Sequence, residues 1–389
     1  MSLELDRSKW QRVNFGDVVK NVNESVKDPA VSGIERVIGL EHLEPGELRI
    51  DRWGEVTPET KFTRSVKPGQ TLFGKRRSYQ RKTAYAEFDA VCSGDILVFE
   101  SANPTRLLPE LLPFIAMSDG FYNKALETSA GSLSPRTRWS DLAKYEFDLP
   151  PLDQQKRIAD LLWTVEKHRR ATIALLLATE NSRQTFRSEW MEKYSGNVQE
   201  LQGVASIPPQ NGLSRPKATR TGRYPMIDMG ALFRGEVVAC EGFEGVNLGP
   251  GEDSKFALAS GDLLFARQSI VFKGAGVCCL VPEMSGLAVF ESHVIRVRVD
   301  DREVKGEFLL HYFRSGPGRR KMSGIVRRGP VSGVAGSDLK RLEVPTPPAD
   351  QVNEFLGKMM GLDQAAEALR VERDRLDALL ESVANQVFV

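Results

Sequence analysis

The stretch SDLAKYEFDLPPLDQQ at 140–155 decides how this chain is built, because it returns as SDLKRLEVPTPPADQ at 337–351. An offset of 197 lays Ser140 on Ser337, Asp141 on Asp338, Leu142 on Leu339 and Glu146 on Glu343. It also lays Pro150-Pro151 on Pro347-Pro348, Asp153 on Asp350 and Gln154 on Gln351. The match continues upstream in the same order. Leu43 and Gly46-Glu47-Leu48 overlay Leu232 and Gly235-Glu236-Val237 at an offset of 189. Gly69 and Phe73 overlay Gly261 and Phe265 at 192, and Ala90-Val91 overlays Ala288-Val289 at 198. A drifting offset is what loop insertions between matched strands produce. The chain therefore reads as two homologous domains, and a repeated chain offers two equivalent surfaces.

After each Pro-Pro the apolar period changes from that of a strand to that of a helix. Asp153 and Asp350 are expected as N-caps, where a carboxylate accepts the unpaired N–H groups of the first turn. The first helix carries a 4-3 stripe of Ile158, Leu162, Val165, Arg169, Thr172, Leu176, Thr179, Arg183, Phe186 and Trp190. The second carries Phe355, Met359, Leu362, Ala366, Leu369, Arg373, Leu376, Leu380, Val383 and Val387, each 197 residues on from its counterpart. Such a stripe is the mark of coiled-coil packing. At about 1.5 Å per residue each helix spans roughly 57 Å, too long to be stable in water with its stripe bare. An antiparallel pair would bury both stripes, with a globule near each end and a pseudo-two-fold axis between them. The competing arrangement packs each helix on its own domain.

Before the helices, 34–43, 66–74 and 87–100 are short, mixed-apolar and bounded by Gly, Pro or Asp, as strands and turns are. Their equivalents are 224–238, 257–267 and 276–299, and Leu107–Ser118 and Glu307–Arg314 read as short helices. The expected fold class is α/β (α+β), with strands dominant in each copy. The expected boundaries are a first domain over 1–151, a helix over 152–192, a second domain over 193–348 and a helix over 349–389.

Composition bounds the function. Hydrophobic residues make up 41% and charged residues 27%, a globular balance. Lys+Arg is 53 against Asp+Glu 52, so any polyanion-binding surface has to arise from local clustering. No apolar run is long enough to span a membrane. The start MSLELDRSKW has no apolar core of a secretory signal, and a cytoplasmic protein is expected. Cys92, Cys240, Cys278 and Cys279 form no CxxC, and His42, His168, His293 and His311 are scattered, so no metal site is expected.

Catalytic signatures are decoys. Gly69–Lys75 spells GxxxxGK, yet Arg76 stands where a phosphate loop needs Ser or Thr. The tetrapeptide of amino-methylating DNA methyltransferases, a polar residue, two prolines and an aromatic, is absent from LPPL and TPPA. The local charge is more telling. Lys75, Arg76, Arg77, Tyr79, Arg81 and Lys82 form a basic run with an aromatic inside it, and Arg136 and Arg138 follow in the 131–139 loop. The second copy has Arg267 and Gln268 at the equivalent of Lys75-Arg76. It adds Arg215, Lys217, Arg220 and Arg223, then Arg319, Arg320, Lys321, Arg327 and Arg328. Phosphate contact needs surface Lys or Arg, and base reading needs Arg, Gln or Asn. Basic clusters at matching stations point to DNA.

LPPLDQQKRIADLL at 149–162 and TPPADQVNEFL at 346–356, with GLEHLEPG at 39–46, VKPGQTLFGKRR at 66–77 and CSGDILVFE at 92–100, resemble the DNA-specificity subunit of a type I restriction–modification enzyme. The resemblance covers the whole chain, and the second copy departs from it at Ala349 and Val352. It implies two target-recognition domains, each reading half of a split site in double-stranded DNA, joined by an antiparallel helical spacer. It implies two methyltransferase subunits that use S-adenosylmethionine to methylate adenine N6. It further implies a restriction subunit, a motor-nuclease dependent on ATP and Mg. No cofactor and no catalytic residue would belong to this chain.

The expected DNA-facing residues are Lys75, Arg76, Arg77, Tyr79, Arg136 and Arg138 in the first copy, and Arg267, Gln268, Arg327 and Arg328 in the second. Exposed positions of 153–190 and 350–387 are the expected docking surface for partners. Three alternatives stay open: a type IIB-like recognition subunit with a fused nuclease-methyltransferase partner, a coiled-coil adaptor that binds no DNA, and an enzyme with an unrecognised site.

Overall fold

The computed structural model describes residues 6–239 and 241–388. Cys240 and the first five residues of the N-terminal stretch lie outside them. The chain divides into two compact units. The first takes in the described residues up to Ala174 together with those from Leu369 onward, and the second is Leu175–Ala368. Both long helices pass from one unit into the other.

The two units share their four-stranded sheet and much of a second one. In the first, a four-stranded antiparallel sheet runs in the order Val19–Asn21, Ile96–Ser101, Thr71–Gly74, Thr83–Tyr85. In the second the order is Ala205–Asn211, Val294–Val299, Leu263–Ala266, Cys278–Leu280. Registers match as well: Thr71 pairs Phe99 and Leu263 pairs Val297, which are offsets of 192 and 198. The second sheet repeats a parallel pair, Val37↔Val91 in one unit and Met226↔Val289 in the other. Here too the offsets, 189 and 198, are those of the sequence match. The units differ at one edge. Arg64–Val66 pairs with Ala90–Cys92 in the first, whereas the second has no such strand among the described residues and carries the short helix Glu252–Phe256 at that place in the chain.

Alternation explains the cores. Phe73 and Phe99 on adjacent strands stack at 5.8 Å and meet Phe15, Phe121 and Tyr122. Phe265 packs edge-on to Phe313 at 4.9 Å in the second unit. Each such fully buried aromatic contributes about 1.5–3 kcal/mol of transfer free energy. The three described cysteines, Cys92, Cys278 and Cys279, are buried in these sheets, and burial pushes the Cys92 thiol up to about 12.

Each sheet domain hands over to its helix through the Pro-Pro junction. Glu146–Leu149 pairs antiparallel with Gln11–Asn14, and Glu343–Pro345 with Val198–Glu200. Proline fixes φ and has no N–H, so it ends the strand and starts a helix without loss. The helices are Leu152–Lys193 and Ala349–Phe388. They begin one residue before the aspartates, so Asp153 and Asp350 are not N-caps. They lie within the first turn, where a carboxylate still favours the positive end of the helix dipole. The region 107–118 is likewise divided, into a 3-10 turn Pro109–Leu111 and a helix Leu112–Met117.

Within each unit the helices pair antiparallel. In the first, Ile158 and Leu162 share a core with Leu380, Val383 and Val387, and Arg169 bonds Asp377. In the second, Arg183 bonds Asp363, while Phe186 and Trp190 pack on Phe355 at 5.5 and 4.9 Å. Val165, Leu176, Met359 and Leu376 are buried, Leu362 and Leu369 half-buried, and no position of either stripe is exposed. No helix among the described residues is long and apolar enough to cross a membrane.

Candidate nucleic-acid interface

The expected DNA-facing residues other than Arg138 gather at one three-segment ladder in each unit. In the first, the chain leaving strand Thr71–Gly74 runs through Lys75, Arg76 and Arg77 beside 135–137. The Arg77 N–H donates to the Pro135 carbonyl (2.8 Å), and the Thr137 N–H to that of Lys75 (3.0 Å). Arg76 stands opposite Arg136, and Arg136 in turn opposite Ala130. On the other side the Lys75 N–H donates to the Asp95 carbonyl (3.0 Å).

The second unit repeats these bonds. The Arg267 N–H donates to the His293 carbonyl (2.9 Å) and the Val334 N–H to that of Arg267 (2.9 Å). Gln268 pairs with Gly333, Ser269 with Ser332, and Arg327 with Gly333. Lys75 thus corresponds to Arg267, Arg76 to Gln268, Ala130 to Arg327 and Arg136 to Gly333. The architecture is constant and the side chains it presents are not.

The free charge is smaller than the sequence suggests. Arg136 and Arg76 share Asp95, at 2.8 and 3.4 Å, and the hydrogen bond from Arg136 holds that carboxyl below its ordinary value despite partial burial. Lys75 is half-buried, and burial, with Arg64 close by, lowers its ammonium pKa. Arg81 turns inward to Asp119 (2.6 Å), the Met117 carbonyl and the Tyr122 ring, and Lys82 donates to the Leu40 carbonyl. Arg215 and Arg220 bond Glu252 and Glu291, Arg320 bonds Glu192 and Lys321 bonds Glu343. These charges already have partners within the unit. Arg77 and Tyr79 are exposed, as are Arg327, which touches Asp338, and Arg328, whose guanidinium lies over Phe272. Arg138 is exposed at the start of the helix Trp139–Leu142, past the end of the ladder.

Arg77 and Arg81 have φ of 55° and 51°, a left-handed conformation that costs a non-glycine residue roughly 1–2 kcal/mol each. They flank the turn Ser78–Gln80 and hold Tyr79 outward. Strain retained around one projecting side chain is common at binding sites.

Sequence reasoning missed how each domain is fastened to the helices. Arg169, on the first stripe, is buried and donates to Glu47 at 2.5 and 2.7 Å, to Glu166 at 3.4 Å and to Asp377. In the second unit Glu236 accepts from Arg183 (2.6 Å) and Arg187 (2.7 Å), while Arg183 also holds Asp363. Glu47 and Glu236 are the repeated pair in Gly-Glu-Leu and Gly-Glu-Val. The signal was present: the arginines that weaken the apolar stripe are the anchors. A cavity of about 440 Å³ opens beside the first anchor, lined by Glu47, Glu166, Arg169, Asp377 and Leu380.

Gln155 was also missed. Buried at the head of the first helix, it accepts from the Leu108 N–H (2.8 Å) and donates to the carbonyls of Pro150 (2.8 Å) and Arg106 (2.9 Å). Its equivalent, Val352, is buried among apolar side chains.

Residues 52–176 match the family of the Type I restriction modification DNA specificity domain. The resemblance read from the sequence is borne out. The specificity-subunit fold also extends over the whole chain. A structure described as showing complex assembly and conformational transition of a type I R-M system superposes with a TM-score of 0.62 at 18% identity, over 99% of this chain and 98% of that one. The S subunit of the type I restriction-modification system from M. genitalium does so with a TM-score of 0.57 at 11% identity, over 100% and 98%. No curated protein matches. At these identities the solved structures speak for the fold, in which two mixed α/β domains accompany paired long helices.

Proposed function

We propose that this chain is the sequence-recognition subunit of a type I restriction–modification complex, and that each unit reads one half of a split site in double-stranded DNA. The observation that carries this reading is the ladder built twice with one set of backbone bonds and two sets of side chains. Two half-sites of different sequence need that combination. Arg77 and Tyr79 in the first unit, and Gln268, Arg327 and Arg328 in the second, are the groups the frame offers. Arginine reaches phosphates or guanine edges, and glutamine forms a paired bond to adenine.

In this reading the chemistry belongs to partners. Two methyltransferase subunits would bring S-adenosylmethionine to adenine N6, and a motor-nuclease subunit would bring ATP and Mg. The long helices offer docking positions, with Leu161 and Leu175 on the first and Met360 and Val371 on the second exposed off the apolar stripe. Apolar side chains left in water on an otherwise charged helix mark interaction surfaces when they group. The cytoplasm is where such a complex would meet DNA.

A modified-base map of genomic DNA, with the gene intact and deleted, tests the proposal. Loss of N6-methyladenine from one split motif on deletion is the expected result. Unchanged methylation with the partner subunits expressed and active would overturn it in favour of an adaptor.

A further inference from the structure

Charge accounts for only part of what each ladder presents. In the second unit the antiparallel pair Ser269↔Ser332 brings the residues after Ser269 and those before Ser332 to one end. Ile270, Val271 and Val331 stand there in solvent, 86%, 65% and 51% exposed. The same end of the first ladder carries Tyr79 and Leu133, 57% and 91% exposed. One apolar side chain in water is ordinary. Apolar side chains at the same end of both copies, on a frame otherwise lined with arginine, are not.

The second tip is built and held. Arg319 reaches behind it and donates to the carbonyls of Lys273 (2.6 Å), Ala275 (3.3 Å) and Gly276 (3.0 Å). The Gly274 N–H closes a turn onto the Val271 carbonyl (2.8 Å), and the Val271 N–H donates to Ser269 Oγ (3.2 Å). Arg328 covers Phe272 at 4.7 Å. Isoleucine and valine are stiff at χ1, so little order remains to be imposed when a ligand arrives.

A polyanion with apolar points on its surface fits this tip. In the DNA major groove one feature of the base edges is apolar, the 5-methyl group of thymine. Insertion between base pairs is done by long wedges such as Phe, Leu, Ile or Met. Two of the three side chains here are valines, whose methyls end at Cγ and do not reach into a stack. We propose that Ile270, Val271 and Val331 read thymine methyl groups in the half-site contacted by the second unit, with Arg327 and Arg328 on the flanking phosphates. This rests on the DNA-recognition reading above.

The test uses the full chain in complex with its methyltransferase subunits. Duplexes that bind are first selected from a random pool. The enriched half-site of the second unit is expected to contain thymine. Replacing that thymine by uracil removes the methyl and keeps every hydrogen-bonding group. The expected loss is about fourfold in affinity per methyl, the transfer preference of one such group. In the double variant Ile270→Ala, Val271→Ala, thymine and uracil duplexes should bind alike. Both side chains are exposed, and an unchanged melting temperature will show that the fold is kept. Equal binding of both duplexes by the wild-type complex overturns the proposal, as does full discrimination by the double variant. A variant that keeps its DNA affinity and loses a partner subunit also overturns it. If no duplex is enriched, the DNA-recognition reading itself falls.

Discussion

Glu47 and Glu236 occupy the same station of the repeat and do the same work with opposite arithmetic. In the first unit one guanidinium, Arg169, faces three carboxylates, Glu47, Glu166 and Asp377. In the second, one carboxylate, Glu236, faces two guanidiniums, Arg183 and Arg187. The pKa directions follow. Burial raises Glu166, against the pull of Arg169 and Arg170. Burial would raise Glu236 too, but Arg183 and Arg187 overcome it and hold that carboxyl at about 2. A fastening between domain and helix therefore needs charge pairing at this station, while the number of guanidiniums that share the repeated glutamate is free to differ.

The comparison breaks most sharply where a group has no substitute. Arg169→Leu leaves three carboxylates with Arg170 alone to offset them, and should destabilise the first unit by about 3–5 kcal/mol. Arg183→Leu leaves Glu236 still bonded to Arg187, and about 1–2 kcal/mol is expected. Denaturant unfolding followed by hydrogen exchange in each unit measures both, and equal losses would refute the asymmetry.

The carboxylates should reverse the order. Glu236→Gln takes from Arg187, the more deeply buried of its two arginines, the carboxylate it pairs with and leaves it the neutral Gln184, at a cost of about 3 kcal/mol. Glu47→Gln leaves Arg169 with Glu166 and Asp377, at about 1 kcal/mol. The same unfolding measurement applies, and a larger loss at Glu47 would contradict the stoichiometry described.

Acid should separate the units in the same sense. Glu236 falls from an ordinary 4.5 to about 2 on folding, so its contribution is present above pH 4.5 and is lost as pH falls toward 2. By the usual conversion this amounts to about 3 kcal/mol. His311, buried in the same unit, is lowered from 6.5 to about 4 by burial, so stability is also lost as pH falls from 6.5 to 4. Glu166 is raised, so its contribution has the other sign: it is present at low pH and lost as pH rises through its folded value. Hydrogen exchange at pH 7, 5.5 and 4 should show the second unit opening first. Simultaneous opening would mean that other groups dominate.

The smallest effects compare the ladders. If Arg328 meets a phosphate, replacing it by alanine should lower the slope of log affinity against log salt by about 1, and Arg327→Ala should change it less, because Asp338 lies 2.8 Å from that guanidinium. Arg136→Ala should change it less, because Asp95 already offsets that charge. A larger change at Arg136 would exchange the roles assigned to the two ladders.

Much of the fold was legible because repetition in the sequence reports repeated packing. The offsets of 189, 192 and 198 reappear as strand registers, since a residue keeps its sheet partner when loops lengthen. The seam was legible for the same reason, as its period is a local property of a helix. The helix starts at 152 and 349 were legible, but the capping roles expected of Asp153 and Asp350 were not borne out, because a cap depends on backbone angles that the two prolines set. The basic runs were over-read. Arg81, Lys82, Arg215 and Arg320 are charged in any sequence, but whether each finds a carboxylate or carbonyl within the domain is settled by segments far away in the chain.

By itself, then, the sequence determined the two copies, the paired helices and the stations where charge gathers, since periodicity and composition act over short distances along the chain. Only the tertiary structure decided which arginines face solvent, which fasten a domain to its helices, and that Ile270, Val271 and Val331 share one tip. Those outcomes depend on pairing Gln268-Ser269 with Ser332-Gly333, residues more than sixty positions apart. No local pattern specifies such a pairing, which forms when the sheet closes over its core.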